Sequence, residues 1–198
     1  MKRLMPVDSL QKQEGGQTDP RLQWTSPRFL SAGRRRTTST SSSRSHRAAS
    51  RSKYELDKTS GAVFVDRFLH TVMFYPGNYG FVPHTLAEDG DPIDVLIVGP
   101  AAVVPGAIVR CRPVGALMMK DEHGPDEKII AVPVDDLHPF YTGVKSPEDL
   151  PPILRDQIAH FFRHYKDLEA GKWVEIARWA SADEAAALIT AAIGRAAN

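Results

Sequence analysis

The sequence predicts an α+β fold that is mainly β, with a small β-barrel and two helices at the C-terminal end. Short apolar segments separated by Gly and Pro recur from about residue 54 to residue 132, which is typical of such a barrel. After residue 151, apolar residues change to helical spacing. The chain has 198 residues, of which 42% are hydrophobic, enough for one core. No apolar run approaches the roughly 18 residues that cross a membrane.

The first 52 residues differ in composition from the rest of the chain. Residues 1–52 hold 11 Lys and Arg against 3 Asp and Glu, a net charge of +8, whereas residues 53–198 hold 14 against 21, a net charge of −7. The stretch 34–44 is rich in Arg, Thr and Ser and has neither a strand nor a helix period. We therefore predict a basic, low-complexity, disordered arm over 1–52 and a folded domain over 53–198.

The folded domain opens with a predicted hairpin. Apolar residues at 54–56 and 62–65 flank a turn that contains Gly61. Further strands are predicted at 94–98, 108–112, 116–120 and 128–132. Cys111 lies within one of these strands and is predicted to be a buried, unreactive thiol. As the only cysteine it cannot form an intrachain disulfide, which favours a reducing cytoplasm.

Two helices are predicted after the strands, each packed on the barrel. The first opens at Pro151 and Pro152, and Gly171 is its expected C-terminal stop. The second opens at Ser181 as the N-cap, with Glu184 three residues later completing a capping box. An apolar stripe of Leu188, Ala192 and Ile193 follows on that second helix.

The segment DGDPID at 89–94 is the strongest functional signal. It places Asp89, Asp91 and Asp94 within six residues, and their charges would repel one another at neutral pH unless cations lay among them. Pro92 cannot donate a ladder hydrogen bond, so the strand should begin after it with Asp94 at its edge. Carboxylate oxygens suit Mg²⁺ or Mn²⁺. A solvated acidic turn is the alternative interpretation of these residues.

More charged residues lie downstream of this segment. Asp121 and Asp126 flank a turn between two predicted strands, and with the first three carboxylates they would form a basin of five. Such a basin suits an anionic substrate that shares the metal ions and has cationic or hydroxyl partners opposite. The candidate partners are Lys53, Arg67, Tyr75, Tyr79, Lys128, Tyr165 and Lys166, each of which alone is more typical of a surface ion pair or a core tyrosine.

Six segments together resemble the soluble family I inorganic pyrophosphatases of bacteria. They are KYELDK at 53–58, DRF at 66–68, FYPGNYG at 74–80, DGDPID at 89–94, CRPVG at 111–115 and HFFRHYK at 160–166. The resemblance runs from Lys53 almost to the C-terminus. It implies a five-stranded, OB-like closed β-barrel with two flanking C-terminal helices, Mg²⁺-dependent hydrolysis of diphosphate to two phosphates, and a homohexamer.

The resemblance also implies roles for individual residues. Asp89, Asp94, Asp121 and Asp126 would bind Mg²⁺, several ions per subunit with Mn²⁺ as a possible substitute, and Asp91 would be the general base for the attacking water. The phosphates would be held by Lys53, Arg67, Tyr79, Tyr165 and Lys166, and the edge of the site would be formed by Glu55, Tyr75 and Lys128. His160 and His164 have the spacing of metal ligands, but the resemblance places their helix at a subunit contact, and we prefer that interpretation.

The chain departs from the family before Lys53. Members of the family carry an apolar strand that ends in Glu-Ile-Pro about nine residues before the Lys-Tyr-Glu, and here that position is Arg44. Codons for Asp-Val-Asn-Val-Val-Val-Glu-Ile, read one base later, encode Thr-Ser-Thr-Ser-Ser-Ser-Arg-Ser, which is residues 38–45. We therefore hypothesise that residues 1–52 are a frameshifted reading of the same gene.

A second hypothesis of another class is a non-catalytic OB-like module whose basic arm contacts nucleic acid. The two hypotheses differ in the charge that they require, because a nucleic-acid groove should be basic with exposed aromatic residues. The net charge of −7 over residues 53–198 favours the diphosphatase, with no nucleic-acid or membrane partner.

Overall fold

Seven strands and two α-helices make up the part of the fold that the structure describes. In the computed structural model, the described residues are 51–57 and 60–197. The elements in chain order are β1 (Ser52–Leu56), β2 (Val63–Phe68), β3 (Asn78–Phe81), β4 (Asp94–Ile97), β5 (Cys111–Asp121), β6 (Gly124–Pro133), α1 (Pro152–His164), β7 (Val174–Ala180) and α2 (Ala182–Ala196), with short 3₁₀ turns at Pro139–Tyr141 and Pro147–Asp149. Neither α-helix in these residues has the length and hydropathy that a bilayer crossing requires. The predicted disordered arm falls almost wholly outside the described residues.

The strands form two sheets. β1 and β2 pair antiparallel as the predicted hairpin, and the other five strands form one sheet in the order β3-β4-β6-β5-β7. Within that sheet only β4 and β6 run parallel. The α+β class and the two C-terminal helices are therefore confirmed. The described strands do not close into a barrel, so that part of the expectation is not confirmed.

The five-stranded sheet lies between the two helices. Neighbouring residues of one strand enter different apolar clusters because successive side chains point to opposite faces. Leu96 and Ile130 pack with Phe162 of α1, whereas Val95 and Ile129 lie in the cluster that contains Ile189 of α2. The α1 side also contains Leu117 and Ile158, and the α2 side also contains Ala116, Ala185 and Ala192. Helix packing on both faces follows from this alternation.

One long strand replaces the two that we predicted at 108–112 and 116–120. β5 runs without interruption over Cys111–Asp121, and residues 108–110 lie outside it. The register with β6 shifts between Pro113 and Gly115. Because a strand irregularity tolerates a residue that has no backbone N–H, Pro113 does not interrupt the strand. A Cβ at Gly115 would lie 2.3 Å from the Pro147 side chain, so glycine allows the 3₁₀ turn to pack on β5. Cys111 is buried as predicted, and burial raises the pKa of its thiol to about 11.

The end of α1 was also predicted wrongly. The helix ends at His164, where the Tyr165 N–H donates to the Phe161 carbonyl, and Gly171 lies in the turn before β7. α1 ends before the predicted Gly171 stop, and Lys166, two residues after the helix, forms an ion pair with Asp121 of β5. Sequence periodicity does not predict such a contact with a distant residue. Strand β7 was missed, although Val174 and Ile176 are spaced as in a half-buried strand.

The start of α2 follows the prediction. The Ser181 side chain accepts from the Glu184 N–H at 3.2 Å, and the Glu184 carboxylate accepts from the Ser181 N–H at 2.9 Å. Arg178 of β7 also donates to Glu184 at 2.6 Å. These hydrogen bonds lower the pKa of Glu184 from 4.5 to about 2. The bond from Arg178 has the largest effect, and the bond from the Ser181 N–H has the next largest.

This cap predicts an acid-sensitive contribution to stability. A carboxyl with a lowered pKa in the folded state stabilises the fold above its ordinary pKa, and that contribution is lost as the pH falls through the folded value. We expect Glu184→Gln to reduce the loss of unfolding free energy between about pH 4.5 and pH 2. Urea unfolding across this pH range tests the prediction, with Asp183→Asn in the same helical turn as the matched control. Identical pH curves for wild type and Glu184→Gln would contradict it.

Candidate active site

The acidic loop before β4 is held in shape by its own backbone. Gly90 has φ +90°, a conformation that other residues rarely adopt. The Asp91 N–H donates to the Asp89 carboxylate at 3.0 Å, and the Asp91 carbonyl accepts from the Ala87 N–H at 2.7 Å. Asp94 is the first residue of β4, as predicted. The loop thus fixes two carboxylates on either side of Asp91.

Three of the five predicted aspartates share one small pocket. Asp89 and Asp94 line it from the acidic loop, and Asp126 lines it from β6. The parallel pairing of β4 with β6 brings the two strands together at this point and places Asp94 beside Lys128. Asp126 lies two residues before Lys128, so both side chains project from the same face of β6.

Lys128 is a buried cation that pairs with two of these aspartates. Its Nζ donates to Asp94 Oδ2 and to Asp126 Oδ1, each at 2.6 Å, and its side chain is only 4% exposed. Burial alone would lower the pKa of Lys128, but Asp94 and Asp126 raise it, so the ammonium stays charged at neutral pH. Burial raises the pKa of Asp126. The positive charge of Lys128 acts to lower this pKa, whereas the negative charges of Asp94 and Asp121 act to raise it further. We interpret the three groups as a charged cluster because both N–O distances are those of charge-assisted hydrogen bonds.

One tyrosine hydroxyl contacts these carboxylates, and two further tyrosines lie in the core on the α1 side. Tyr79 of β3 donates to Asp94 Oδ2 at 2.6 Å, and its ring stacks on Tyr75 with the centroids 4.8 Å apart. Tyr165 follows α1 and stacks on Phe161 with the centroids 5.4 Å apart. Burial raises the pKa of all three tyrosines, and the charge of Asp94 contributes in each case. They are therefore neutral hydrogen-bond donors at physiological pH.

Asp121 lies at the tip of the β5–β6 hairpin and is paired with Lys166. Lys166 Nζ donates to Asp121 Oδ2 at 2.7 Å and lies 3.3 Å from Glu122, and the side chains of Asp121 and Lys166 are both at least nine-tenths buried. Burial would raise the pKa of Asp121, but the hydrogen bonds from Lys166 and from the His123 N–H lower it below 3.8. Asp121 is thus ionised at neutral pH, with a cation beside it.

The remaining predicted cations lie on the β1–β2 hairpin. Arg67 donates to Glu169 Oε2 at 3.1 Å and lies 3.4 Å from Asp66. Lys53 donates to Glu55 at 2.6 Å and also lies 3.4 Å from Asp66. Pairing of Lys53 with Arg67 across the two strands places both cations side by side. Burial raises the pKa of Tyr75, and the charges of Arg67 and Lys128 both act to lower it.

The structure places the predicted charged site residues in three groups: Asp89, Asp94 and Asp126 line one pocket, Asp121 pairs with Lys166, and Lys53 and Arg67 lie side by side on the hairpin. Asp91 is exposed, and its side chain is not among those that line the pocket of Asp89, Asp94 and Asp126. Across the described part of the chain, no three His, Cys, Asp or Glu side chains converge closely enough to hold a metal ion as they stand. Lys128 and Lys166 instead hold positive charge between the carboxylates.

Three acidic partners were missed in the sequence. Asp66, Glu122 and Glu169 contact Arg67 or Lys166, and Glu169 also accepts from Lys172 at 2.8 Å. Asp66 and Glu122 each adjoin a residue that we predicted, so adjacency was a usable signal. Glu169 is 102 residues from Arg67 and left no such signal.

Comparisons with known proteins find relatives of this chain in both sequence and structure. The family model described as inorganic pyrophosphatase matches residues 46–197. A protein of Caulobacter vibrioides named inorganic pyrophosphatase is 70% identical over 143 residues, which cover 72% of this chain and 81% of that protein. One of Escherichia coli K12 with the same name is 56% identical over 146 residues, covering 74% and 83%. The solved structure of the Helicobacter pylori inorganic pyrophosphatase aligns with a TM-score of 0.74 at 46% identity, covering 76% of this chain and 88% of that one.

Proposed function

The chain belongs to the inorganic pyrophosphatase family and hydrolyses inorganic diphosphate to two phosphates, and from this premise we propose the residues that carry out the reaction. The observation that carries the proposal is the cluster of Asp94, Lys128, Asp126 and Tyr79, which joins opposite charges and a hydroxyl donor through direct hydrogen bonds. Diphosphate is a polyanion, so its hydrolysis requires charge neutralisation as well as a nucleophile.

We assign the binding of the two phosphates to Lys53, Arg67, Tyr79, Tyr165 and Lys166. In the absence of substrate, Arg67 is paired with Glu169 and Lys166 with Asp121. A phosphate that accepts hydrogen bonds from these cations would replace the carboxylates as their partner. Planar Arg67 suits bidentate contact with phosphate, and Lys166 acts as a point charge. Glu55, Tyr75 and Lys128 form the edge of this site.

Asp91 is our proposed general base. It takes the proton from the attacking water while the cations stabilise the charge that develops on the leaving phosphate. Its exposure leaves the carboxylate accessible to water, and the backbone hydrogen bonds on both sides of it hold its position. No covalent intermediate is required.

We propose Mg²⁺ as the cofactor, held by Asp89, Asp94, Asp121 and Asp126. The donor set fits because it consists of carboxylate oxygens, and because Asp94 and Asp126 already gather around the ammonium of Lys128. When bound, Mg²⁺ supplies a Lewis acid that polarises phosphoryl oxygens and lowers the pKa of water from ~15.7 towards ~7. Asp121, which would lose Lys166 to the substrate, would gain a metal cation in its place.

Phosphate release from diphosphate by the purified chain tests the cofactor assignment. We expect hydrolysis to stop on chelation with EDTA and to return with added Mg²⁺. Asp94→Asn should raise the Mg²⁺ concentration that gives half-maximal rate, because it removes one charged ligand. Asp136→Asn, which changes an exposed acid in the loop after β6, should not. An unchanged rate in EDTA would overturn the assignment.

The alternative of a nucleic-acid-binding module is not supported. The pocket is lined by carboxylates, and the lysines and arginines beside it are paired with acidic side chains. Such a surface repels a phosphate backbone over its length. The relatives reported above are all named for pyrophosphatase activity.

We retain four further proposals on the same premise. These are a catalytic domain over 53–198 preceded by a frameshifted segment, a cytoplasmic location, a homohexamer, and a closed OB-like barrel. The last two would cover apolar side chains that β2 exposes, namely Phe64, Val65 and Phe68. The frameshift is tested by the nucleotide sequence, in which the frame one base earlier should encode Glu-Ile-Pro and contain no stop codon before Lys53.

A further inference from the structure

Glu169 is the acidic partner of Arg67, one of the side chains to which we assign phosphate binding. The Arg67 guanidinium donates to Glu169 Oε2 at 3.1 Å and so joins β2 to the turn between α1 and β7. The Glu169 side chain is only 10% exposed, so the carboxylate is shielded from water. It is therefore an internal contact of this chain with the β1–β2 hairpin.

The same carboxylate oxygen accepts from a second cation. Lys172 Nζ lies 2.8 Å from Glu169 Oε2, and the Lys172 side chain is 31% exposed. Backbone hydrogen bonds hold the turn in shape, because the Glu169 N–H donates to the Lys166 carbonyl at 2.8 Å and the Lys172 N–H donates to the Glu169 carbonyl at 3.2 Å. Burial would raise the pKa of Glu169, but the hydrogen bond from Lys172 and the charge of Arg67 lower it below 4.5, so the carboxylate is ionised at neutral pH.

The second cation allows Arg67 to leave without stranding a buried charge. A buried carboxylate that loses its partner is strongly destabilised. With Lys172 still in contact, Glu169 stays neutralised when the guanidinium turns to another anion. Arg67 also keeps hydrogen-bonding capacity, because its buried Nε makes no hydrogen bond and approaches Asp66 only to 3.4 Å. The three side chains are therefore arranged for an exchange of partners.

We propose that Glu169 is a positioning residue that competes with phosphate for Arg67. It holds the guanidinium beside the site before diphosphate binds, and it takes the guanidinium back as a product phosphate leaves. Diphosphate carries more negative charge than one carboxylate and displaces it, whereas a single phosphate is displaced more easily. Lys172 is the partner of Glu169 in the interval. This role rests on the phosphate-binding assignment of Arg67 made above.

Calorimetric titration of the full chain with inorganic phosphate, at a fixed saturating concentration of Mg²⁺, tests the proposal. We expect Glu169→Gln to bind phosphate about three- to tenfold more tightly, because the amide no longer competes for the guanidinium. Lys172→Met should bind phosphate more weakly, because Glu169 then depends on Arg67 for its neutralisation. A carboxylate that merely braced Arg67 would give weaker binding in Glu169→Gln, and that result would overturn the proposal.

The double variant separates competition from the overall change in charge. If Lys172 acts through Glu169, Lys172→Met should change phosphate affinity little in a Glu169→Gln background. Additive effects of the two substitutions would show a general electrostatic cause and would also overturn the proposal. Glu148→Gln and Lys145→Met make the same changes in charge at exposed positions before α1, and both should bind phosphate as wild type does.

The assignment of Arg67 is tested separately. Arg67→Met should weaken phosphate binding by about tenfold or more, since charge-assisted hydrogen bonds are lost. Unchanged binding would overturn that assignment together with the competition. If Arg67→Met weakens binding but Glu169→Gln does not tighten it, the assignment stands and the competition is wrong. Urea unfolding checks that each variant is folded, and the partial exposure of Lys172 makes its replacement compatible with folding.

Discussion

Asp91→Asn should lower kcat for diphosphate hydrolysis by about 10²–10⁴-fold, the usual contribution of a general base. An amide cannot accept the proton of the attacking water, whereas it has nearly the same shape as the carboxylate. The backbone N–H of residue 91 can still donate to Asp89 and its carbonyl can still accept from Ala87, so the loop should keep its conformation. Phosphate release at saturating Mg²⁺ and diphosphate measures the effect.

Two controls make this prediction specific. Asp136→Asn removes one negative charge from an exposed loop and should leave kcat unchanged. Urea unfolding should give Asp91→Asn the same free energy of unfolding as wild type, because the side chain is exposed. A wild-type kcat in Asp91→Asn would show that Asp91 is not the general base. The Mg²⁺ assignment is tested separately, by Asp94→Asn.

Lys128→Met should lower the free energy of unfolding by about 3 kcal/mol in the absence of Mg²⁺. Removal of one partner from a buried ion pair leaves an uncompensated charge, which typically costs about 3–5 kcal/mol, and the one-third exposure of Asp94 places this case at the lower end. Met has nearly the same length as Lys, so loss of packing contributes little. Urea unfolding at pH 7 in EDTA measures the difference.

Mg²⁺ should restore part of this loss of stability. A cation that binds the folded state stabilises it, and without Lys128 the carboxylates of Asp94 and Asp126 have lost their competing ammonium. Mg²⁺ should therefore raise the unfolding free energy of Lys128→Met more than that of wild type. Lys120→Met, an exposed lysine of the neighbouring strand β5, is the control and should behave as wild type. Equal stability of the two methionine variants in EDTA would refute the role assigned to Lys128.

Local features of the fold were predictable where the signal lay within a few residues. The β1–β2 hairpin, the start of β4 at Asp94 and the Ser181–Glu184 cap were all predicted, since turn chemistry and capping act over short distances. The division of the 111–121 strand and the end of α1 were predicted wrongly. In both cases the deciding contacts come from residues distant in sequence. β5 is one continuous strand because it pairs with β6 along its length, and the chain leaves α1 where Lys166 pairs with Asp121.

The same distinction applies to the site. Its acidic and cationic residue types were evident in the sequence, and the DGDPID segment carried the family resemblance. The partners of those residues were not evident. Lys128 reaches Asp94 across 34 residues through a parallel pairing of β4 with β6, and Arg67 reaches Glu169 across 102 residues.

By itself, the sequence determined the chemistry of this protein, because the charge, hydrogen-bonding capacity and metal preference of a side chain belong to the residue. The tertiary structure decided which opposite charges meet, and it placed Lys128 and Lys166 between carboxylates that the sequence alone assigned to metal ions. The physical reason is that electrostatic energy in a buried site depends on distances of a few ångströms. Those distances are set by strand register and helix packing, which no short stretch of sequence specifies.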